Sequence, residues 1–600
     1  MIKSITQLWA LLTSKERNRF FLIMIIMFIN AIVALIGVGA VPVYVGLITS
    51  LEQIKSFNFV IKFLPFIIDW EVIDSIIYGG LFIGIIFLIK TLFQIFTGYT
   101  QETFGRRIWF RLNDDLFRYY LKMPYTDHLV RNSAELIRNI QHEINLLSRN
   151  VIMAILNGLT QIMILPLILA GLLIVQPLVS LVSFLIIVFA LWIYDKSVRE
   201  KLKTYGKILQ KQRTIHLKVL HQGLGGIKEL HVLQRFGPFS DRFRKTTKLM
   251  ARLMTYNAMA IRVNNPYLEF VSIVGMLLVV FFLLLARVET DQLAPIVSFY
   301  GIAFFRLKQG FAVVMTSVSQ LRSNHYVVRP IYDDLKNNEK TEKKSDKQME
   351  LNVEDQDEQF QFLERIELQN VSYSYPSGSH EALSDINLVI NKGESVGLAG
   401  STGAGKTTLA DVILGLLRPD QGQILVDGRD IFSNLPSWNR LIGYIPQFIY
   451  LLDDTIQQNV VFGLPDSEVD QERVWEALKA AQLSEFVSGL PSGLSTMTGE
   501  RGVRLSGGQR QRIGIARALY HQPPVLIMDE ATSALDNLTE SNFMQAIDHL
   551  KVSHTLIIIA HRLSTIRNCE KIVLMEDGRI RDIGSFEELQ NQHKLFKTSG

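Results

Sequence analysis

Six apolar stretches constrain this chain more than any other feature of its sequence. They lie at about 20–48, 72–99, 149–175, 177–195, 266–286 and 292–322. Each has roughly the 20 residues that an α-helix needs to cross the hydrocarbon core of a bilayer. Because a backbone surrounded by lipid must satisfy its hydrogen bonds internally, the sequence predicts an all-α bundle of six membrane-spanning helices.

The second half of the chain has a different character. The whole sequence is 48% hydrophobic and 20% charged, but its long apolar stretches all lie before about residue 325. A run rich in Lys, Glu, Asp and Asn follows, which is typical of a solvated connector. We therefore predict a membrane domain at 1–335, a charged linker at 336–362 and a soluble α/β domain at 363–600.

Charge placement predicts the orientation of the bundle. Residues 101–150 carry 8 Lys and Arg residues and residues 196–265 carry 16, whereas the connections on the other side carry three in all. Basic loops stay in the cytoplasm, so the N-terminus and the long loops are expected there. An even number of spans then leaves the soluble domain in the cytoplasm too. The net charge of +5 is too small to indicate a nucleic-acid partner.

Three basic residues are expected at membrane depth: Lys90, Arg306 and Lys308. Charges there are costly and usually face a cavity or mark function. They could line a cavity for an anionic headgroup, or they could extend to an interface or pair within the bundle. Apolar residues at helical spacing in 51–66 predict a helix in the outer interface, with a packed apolar loop as the alternative.

A glycine-rich segment, Gly400-Ser-Thr-Gly-Ala-Gly-Lys406-Thr407, follows the strand-like Ser395–Ala399 and precedes the helical pattern Leu409–Leu417. This is the strand–loop–helix context of a phosphate-binding P-loop. We expect Lys406 to reach the β- and γ-phosphates of ATP and Thr407 to bind Mg²⁺. The expected ATP-binding residues of this segment are Gly400, Ser401, Thr402, Gly403, Ala404, Gly405, Lys406, Thr407 and Thr408.

Two adjacent acids end a second apolar strand. Pro524–Met528 is followed by Asp529 and Glu530. A carboxylate at the end of a strand beside a P-loop can hold Mg²⁺, and the next one can polarise the attacking water as a general base. The sequence therefore predicts Asp529 as a metal ligand and Glu530 as the base.

Leu505-Ser-Gly-Gly-Gln509 stands between these two motifs. With it, the second half resembles the ATPase domain of ABC transporters, and the whole chain resembles one half of an exporter whose helices extend into the cytoplasm. In that family Leu505, Ser506, Gly507, Gly508 and Gln509 would cap ATP held by the partner's P-loop. The resemblance implies that Tyr375 stacks on adenine, Gln447 senses Mg²⁺, Glu500 contacts the partner's loops, Asp536 forms the D-loop and His561 holds the γ-phosphate.

Glu530, His561 and Gln447 are thus the expected catalytic residues, and Thr407, Gln447 and Asp529 the expected Mg²⁺ ligands. Because both Glu530 and the Leu505–Gln509 segment are intact, a homodimer with two working ATP sites is the simpler expectation. A heterodimer is the alternative. By the same resemblance, short coupling helices near Tyr125–Arg131 and Gly226–Val232 would press into grooves on the ATPase domains.

Within the membrane half, the sequence is similar to flippases of lipid-linked oligosaccharides. The likeness rests on Leu224–Glu229, Pro266–Glu269 and Phe304–Leu307, and Lys90 and Arg306 match basic positions thought to meet the lipid's pyrophosphate. A basic residue expected beside Pro266 is absent. The resemblance implies a lipid-type or amphipathic substrate, with a multidrug, lipid or peptide exporter as the alternative.

Three other classes fit less well. A soluble ABC ATPase would lack six spans, an importer usually carries its membrane domain on a separate chain, and an ATP-regulated channel has no need of Glu530 and His561. The single cysteine, Cys569, cannot form an internal disulfide. We expect a multi-pass protein of the plasma (inner) membrane of a bacterium, with ATP and Mg²⁺ as cofactors.

Overall fold

The computed structural model describes residues 2–49, 72–175, 177–285, 290–337, 360–376, 380–530, 554–560, 562–593 and 596. The chain divides into two compact units. The first contains Met1–Met123 and Arg131–Lys344, and the second contains Pro124–Val130 and Ser345–Gly600. Most of the predicted linker, and the predicted outer helix at 51–66, lie outside the described residues.

The first unit is entirely helical in its described part. Its helices are α1 (Ile2–Leu11), α2 (Ser14–Thr49), α3 (Val72–Lys122), α5 (Ser133–Arg138), α6 (Ile144–Leu146), α7 (Met153–Val175), α8 (Pro177–Gly225), α9 (Ile227–Leu233), α10 (Phe236–Arg262), α11 (Asn264–Leu285), α12 (Thr290–Asn324) and α13 (328–337). The helix α4 (Tyr125–Val130) belongs to the second unit. Two π-helical segments, Asn139–Glu143 and Leu147–Ile152, join α5, α6 and α7 into one long path.

Four helical stretches of the described residues are long and apolar enough to cross a membrane: Ser14–Val41, Ile76–Lys122, Ser133–Ile174 and Phe236–Leu285. They overlap the first, second, third and fifth predicted spans, and the fourth and sixth predicted spans lie within α8 and α12. Many large apolar side chains of these helices are exposed, among them Leu22, Phe82 and Phe270. Such surfaces are stable in lipid, where apolar groups need no burial in protein.

An arginine joins the first three helices at one end of this unit. Arg111 on α3 donates to both carboxylate oxygens of Glu16 at 2.8 and 2.9 Å and to Asp115 at 2.8 Å. Its guanidinium also donates to the backbone oxygen of Leu11, the last residue of α1, at 2.9 Å. A bidentate guanidinium–carboxylate pair is directional, so it sets how α1 turns into α2 beside α3.

The second unit contains two sheets. The larger is ordered β10 (Arg579–Gly584), β9 (Lys571–Glu576), β3 (Ser395–Gly400), β8 (Thr555–Ile559), β7 (Val525–Asp529) and β6 (Ile442–Ile445). All its pairs are parallel except that of β10 with β9. The smaller sheet is antiparallel and ordered β2 (Glu381–Asn391), β1 (Arg365–Ser374), β4 (Gln421–Val426) and β5 (Arg429–Asp430).

Helices surround the larger sheet of this unit. They are α14 (Lys406–Ile413), α15 (Leu435–Arg440), α16 (Ile456–Val461), α17 (Gln471–Ala480), α18 (Ser484–Ser488), α19 (Gly507–Leu519), α20 (Leu563–Ile566) and α21 (Phe586–Gln592). Strands β7 and β8 are buried along their whole length, as parallel strands covered on both faces must be. A helical membrane unit with an α/β unit is the predicted fold class, which is confirmed.

Trp438 is hydrogen-bonded to the C-terminal end of the P-loop helix α14. Its side chain is fully buried, and its indole N–H donates to the carbonyl of Ile413, the last residue of α14, at 2.9 Å. A carbonyl at a helix end has no partner within the helix, so this bond satisfies a group that burial would otherwise leave unpaired.

Trp438→Phe is therefore expected to destabilise the second unit by about 2 kcal/mol, because it removes this donor and leaves a small cavity. The measurement is the melting temperature of that unit in the full chain. Trp475→Phe is the matched control, since Trp475 is partly buried and its indole forms no hydrogen bond among the described residues. Equal losses in both variants would show that the bond to Ile413 is unimportant.

Candidate functional site

The P-loop lies where the sequence predicted it, between β3 and α14. Gly400 ends the strand with φ of 149°, and Gly405 caps the helix with φ of 97°. A Cβ at Gly400 would collide with the backbone oxygen of Met575 in β9. Only glycine meets both demands, a left-handed φ and a close backbone approach. The loop can therefore present its N–H groups to an anion.

Lys406 is the buried cation of this loop. It is 5% exposed, and its ammonium donates to the carbonyls of Gly400 and Ser401, both at 2.9 Å. Burial lowers the pKa of Lys406, while the carboxylates of Glu530 and Asp529 act in the opposite direction. The ammonium thus closes over the loop, close to the place where phosphate oxygens would be bound.

The two predicted acids lie beside the loop. Asp529 is the last residue of β7 and is buried. Glu530 follows it in a left-handed conformation, with φ of 47°, and its carboxylate accepts a hydrogen bond of 2.6 Å from the side-chain amide of Gln447. A glutamate held at positive φ is strained, and such strain is common at functional sites.

A cavity of about 590 Å³ opens over the P-loop. Its lining includes the predicted residues Tyr375, Thr402, Gly403, Gly405, Lys406, Thr407, Thr408 and Glu530. The Tyr375 hydroxyl lies 3.2 Å from that of Thr408, which fixes the aromatic ring at the rim. The structure thus brings the predicted aromatic, P-loop and base residues together around one space.

Five lining residues were not predicted: His380, Glu381, Ala382, Asp577 and Gly578. They lie at the start of β2 and in the turn between β9 and β10. No motif marks these positions, because their place in the cavity follows from the meeting of the two sheets. Asp577, with φ of 48°, and Gly578 form a tight turn. The local sequence could suggest this turn, but it could not show that the turn lies beside the cavity.

The segment Leu505–Gln509 forms the start of α19. The Ser506 side chain accepts from the backbone N–H of Gln509, and the Gln509 side chain accepts from that of Ser506, which completes a capping box. Ser506 and Gly507 are exposed, and none of these five residues is among the described residues that line the 590 Å³ cavity. A helix N-terminus open to solvent can receive an anion from elsewhere.

Asp411, an acid on the P-loop helix α14, has a perturbed pKa. Asp411 is partly buried, and burial together with the nearby carboxylate of Asp529 raises its pKa from 3.8 to about 6. Asp411 and Tyr375 in turn contribute, after burial, to a raised pKa of Tyr125 on α4. The predicted coupling segment near Tyr125–Arg131 thus places Tyr125 close to the P-loop helix within the second unit.

The first unit contains a second cavity, of about 670 Å³. Lys90 and Arg306 both line it, and the other side chains that reach it are mostly amides, hydroxyls and small apolar groups. Lys308 does not line it. Its ammonium lies 3.4 Å from the carboxylate of Glu269 and over the ring of Phe305. Residues two apart on a helix point in nearly opposite directions, which is why Arg306 and Lys308 separate.

Two predicted site residues, Asp536 and His561, lie outside the described residues. Glu500 begins a short 3₁₀ turn, Glu500–Gly502, that follows Gly499 at φ of 75°. Among the residues that the structure describes, no group of three or more His, Cys, Asp or Glu side chains could hold a metal ion. Thr407 and Gln447, which the sequence predicts as Mg²⁺ ligands together with Asp529, are not of those types.

Comparisons with known proteins identify chains that are similar to this one. The family model described as ABC transporter matches residues 383–533. An ATP-dependent lipid A-core flippase of Methylobacillus flagellatus is 33% identical over 423 residues, which cover 68% of this chain and 67% of that protein. The putative multidrug export ATP-binding/permease protein YgaD of Bacillus subtilis is 43% identical over 233 residues, which span only 40% of its length.

A solved structure of a bacterial Atm1-family ABC exporter with ATP bound covers 97% of both chains with a TM-score of 0.75. Its sequence identity to this chain is 20%, so it supports the fold alone.

The raised pKa of Asp411 predicts how stability depends on pH. A carboxyl whose pKa is higher in the folded state binds its proton more tightly there, so the folded state loses stability as pH rises through about 6. A rise from 3.8 to about 6 corresponds to about 3 kcal/mol for a fully buried group, and partial exposure reduces this to about 1 kcal/mol.

Asp411→Asn should therefore stabilise the second unit by about 1 kcal/mol above pH 7, with a gain that shrinks as pH falls toward 4. Thermal unfolding at several pH values measures it. Asp453→Asn, at an exposed acid of the same unit, should leave the pH profile unchanged. A gain independent of pH would contradict the assignment to the Asp411 charge.

Proposed function

The chain belongs to the ABC transporter family, and from this premise we propose that it is an ATP-driven exporter that moves a lipid-type substrate across a membrane. The observation that carries the proposal is the convergence of Lys406 and Glu530 on the P-loop cavity, where the side-chain amide of Gln447 donates a hydrogen bond to Glu530. A cation, a general base and an amide that orients the base are the groups that ATP hydrolysis requires from the protein.

In this proposal, ATP binds along the P-loop with its adenine against Tyr375. Lys406 turns from the loop carbonyls to the β- and γ-phosphates, since an ammonium prefers an anion to neutral oxygens. Glu530 polarises the attacking water, and Thr407, Asp529 and Gln447 would hold Mg²⁺, which supplies charge neutralisation at the phosphates. His561 and Asp536 are proposed for the γ-phosphate and the D-loop from the family resemblance.

A second copy of the chain completes the site. The exposed N-terminus of α19 at Ser506 and Gly507 would cap ATP on the partner's P-loop, so that hydrolysis needs two ATPase units. ATP binds more tightly to the closed pair, and that difference in affinity shifts the membrane units between inward and outward states. A homodimer in the inner membrane, with both ATPase units in the cytoplasm, follows from the intact motifs and the distribution of basic residues.

The cargo we favour is a lipid that carries an anion, such as a polyprenyl-pyrophosphate oligosaccharide or a glycolipid. Lys90 and Arg306 line the membrane-unit cavity, and among the described residues that line it none is acidic. A cationic drug would meet two like charges there without a counter-ion. A relative of this chain is named as a lipid A-core flippase, which fits the same chemistry.

Glu530→Gln tests whether Glu530 is the general base of ATP hydrolysis. The amide keeps the size of the side chain but cannot act as a base, so ATP hydrolysis should fall by about 100-fold or more while ATP still binds. Steady-state kinetics measures the loss of ATP hydrolysis, and equilibrium binding measures whether ATP still binds. Glu468→Gln removes an exposed acid of the same unit and should hydrolyse ATP like the parent chain. Normal turnover in Glu530→Gln would remove Glu530 from its assigned role.

Arg306→Ala tests whether the protein recognises an anionic headgroup on the transported lipid. Transport of a polyprenyl-pyrophosphate glycan in proteoliposomes should fall about tenfold, because one of two cations in the cavity is lost. Lys308→Ala is the matched control, since it removes the same charge from the same helix outside the cavity. Equal transport by both variants and the parent would rule out the anionic headgroup as the recognised feature.

A further inference from the structure

The segment from Gln447 to Leu452 belongs to no helix or strand. It begins two residues after β6, and its first side chain donates to the carboxylate of Glu530 at 2.6 Å. The side chains of Phe448 and Tyr450 are 82% and 62% exposed, so within this unit they contribute little to holding the segment. Backbone groups outside helices and strands need other partners, so the position of Gln447 depends on what binds this segment.

Arg517 on α19 is one such partner. Its Nη1 donates to the carbonyl of Tyr450 at 2.9 Å, and its Nε donates to the carbonyl of Asn459 on α16, also at 2.9 Å. Its guanidinium lies 4.2 Å from the centre of the Phe462 ring. A planar guanidinium can bind two carbonyls and stack on a ring at the same time, which a lysine ammonium cannot do. Arg517 therefore joins the segment after Gln447 to both α16 and α19.

The charge of Arg517 is compensated by neutral groups. The residue is half-buried, and burial lowers its pKa from 12.5 to about 10, so it stays charged at neutral pH. In the part of the unit that the structure describes, its guanidinium pairs with no acid. An apolar side chain would avoid the cost of burying a charge, but it would leave the carbonyls of Tyr450 and Asn459 without this donor. The hydrogen bonds are therefore what an arginine adds at this position.

Two further contacts fix the same segment. A Cβ at Gly514 would collide with the side chain of Ile449, so Ile449 packs directly on the backbone of α19. Gly514 precedes Arg517 by three residues, which places both on one side of the helix. At the far end, the fully buried side chain of Asn459 donates to the carbonyl of Leu452 at 3.0 Å and accepts from its N–H at 2.8 Å.

These contacts place Gln447 between two fixed points. Its amide is hydrogen-bonded to Glu530, and its main chain continues into Ile449 and Tyr450, which α19 holds. A hydrogen bond weakens steeply when its donor moves out of line with the acceptor. Release of the Tyr450 carbonyl would therefore let Gln447 turn away from Glu530. The strained backbone of Glu530, with φ of 47°, needs such support from its surroundings.

We propose that Arg517 is a positioning residue for ATP hydrolysis, which keeps the amide of Gln447 on Glu530 by holding the carbonyl of Tyr450. The inference rests on the proposed role of Glu530 as the general base. Arg517 is not among the described residues that line the ATP cavity, so it acts without touching the nucleotide. Its loss should slow turnover and leave the affinity for ATP unchanged.

Arg517→Lys tests this role in the full-length protein in nanodiscs. The variant keeps the charge but cannot hold both carbonyls, since a lysine has a single ammonium in place of the planar fork. The kcat of ATP hydrolysis should fall by about tenfold, because a small misplacement of a catalytic group is costly, while the KM for ATP and equilibrium ATP binding change by less than about twofold.

Arg418→Lys is the matched control. Arg418 also stacks on an aromatic ring, with its guanidinium 5.4 Å from the centre of the Phe432 ring, but it lies in a different part of the unit, after α14. This variant should hydrolyse ATP like the parent chain. Thermal unfolding of each variant verifies that the fold is retained.

A double-mutant cycle with Gln447→Ala tests the route of the effect. If Arg517 acts through Gln447, then Arg517→Lys should lower kcat by less than about twofold in a chain that already carries Gln447→Ala. Gly514→Ala, which displaces Ile449 without any change of charge, should follow the same pattern. A general effect on the stability of the unit would instead lower kcat by the same factor in both backgrounds.

The outcomes separate this inference from the proposed function. If Glu530→Gln loses turnover while Arg517→Lys keeps the kcat of the parent, or if the losses of Arg517→Lys and Gln447→Ala multiply, the positioning role is wrong and Glu530 remains the base. Weaker ATP binding by Arg517→Lys would also overturn it, because the effect would then reach the nucleotide itself. If Glu530→Gln hydrolyses ATP normally, the assigned base is wrong and this inference is lost with it.

Discussion

Each unit of this protein buries a lysine ammonium, and the surroundings of that charge explain much of the rest. Lys406 is held by two backbone carbonyls of its own loop, so its charge is partly compensated before a phosphate binds. Lys90 has no such oxygen partner within the described residues and relies on an aromatic face. Because a buried charge needs compensation, the two lysines differ in how fully the described residues around them supply it.

A parallel sheet accounts for the convergence of the ATP site. Strands β3, β8, β7 and β6 all run in one direction, so their carboxyl ends meet at a single edge. Gly400, Asp529 and, two residues beyond β6, Gln447 are carried there from segments far apart in the chain. Ligands of open α/β sheets bind at this edge for the same topological reason. The Gln447–Glu530 hydrogen bond then joins two neighbouring strands across that edge.

In the helical unit, helical periodicity rather than the alignment of strand ends brings polar side chains to one cavity. A helix repeats every 3.6 residues, so a polar stripe at Lys90, Gln94, Thr97 and Gln101 can face a cavity while the rest of α3 faces lipid. The same periodicity turns Lys308 away from Arg306 and toward Glu269. Polarity within the span could be read from the sequence, but the direction of each side chain depends on the helices that pack beside it.

The sequence by itself determined the helical membrane half, the α/β half and the P-loop between β3 and α14, because apolar run length and short-range motifs act locally. Tertiary structure decided what meets around each cavity. His380 and Asp577 join the ATP site through the meeting of two sheets, and Asn30 and Asn157 join Lys90 through helix packing. Such contacts link residues distant in the chain, and no local pattern encodes them. Local patterns could therefore predict the two units and the P-loop, whereas the polar lining of the membrane-unit cavity exists only once the helices have packed.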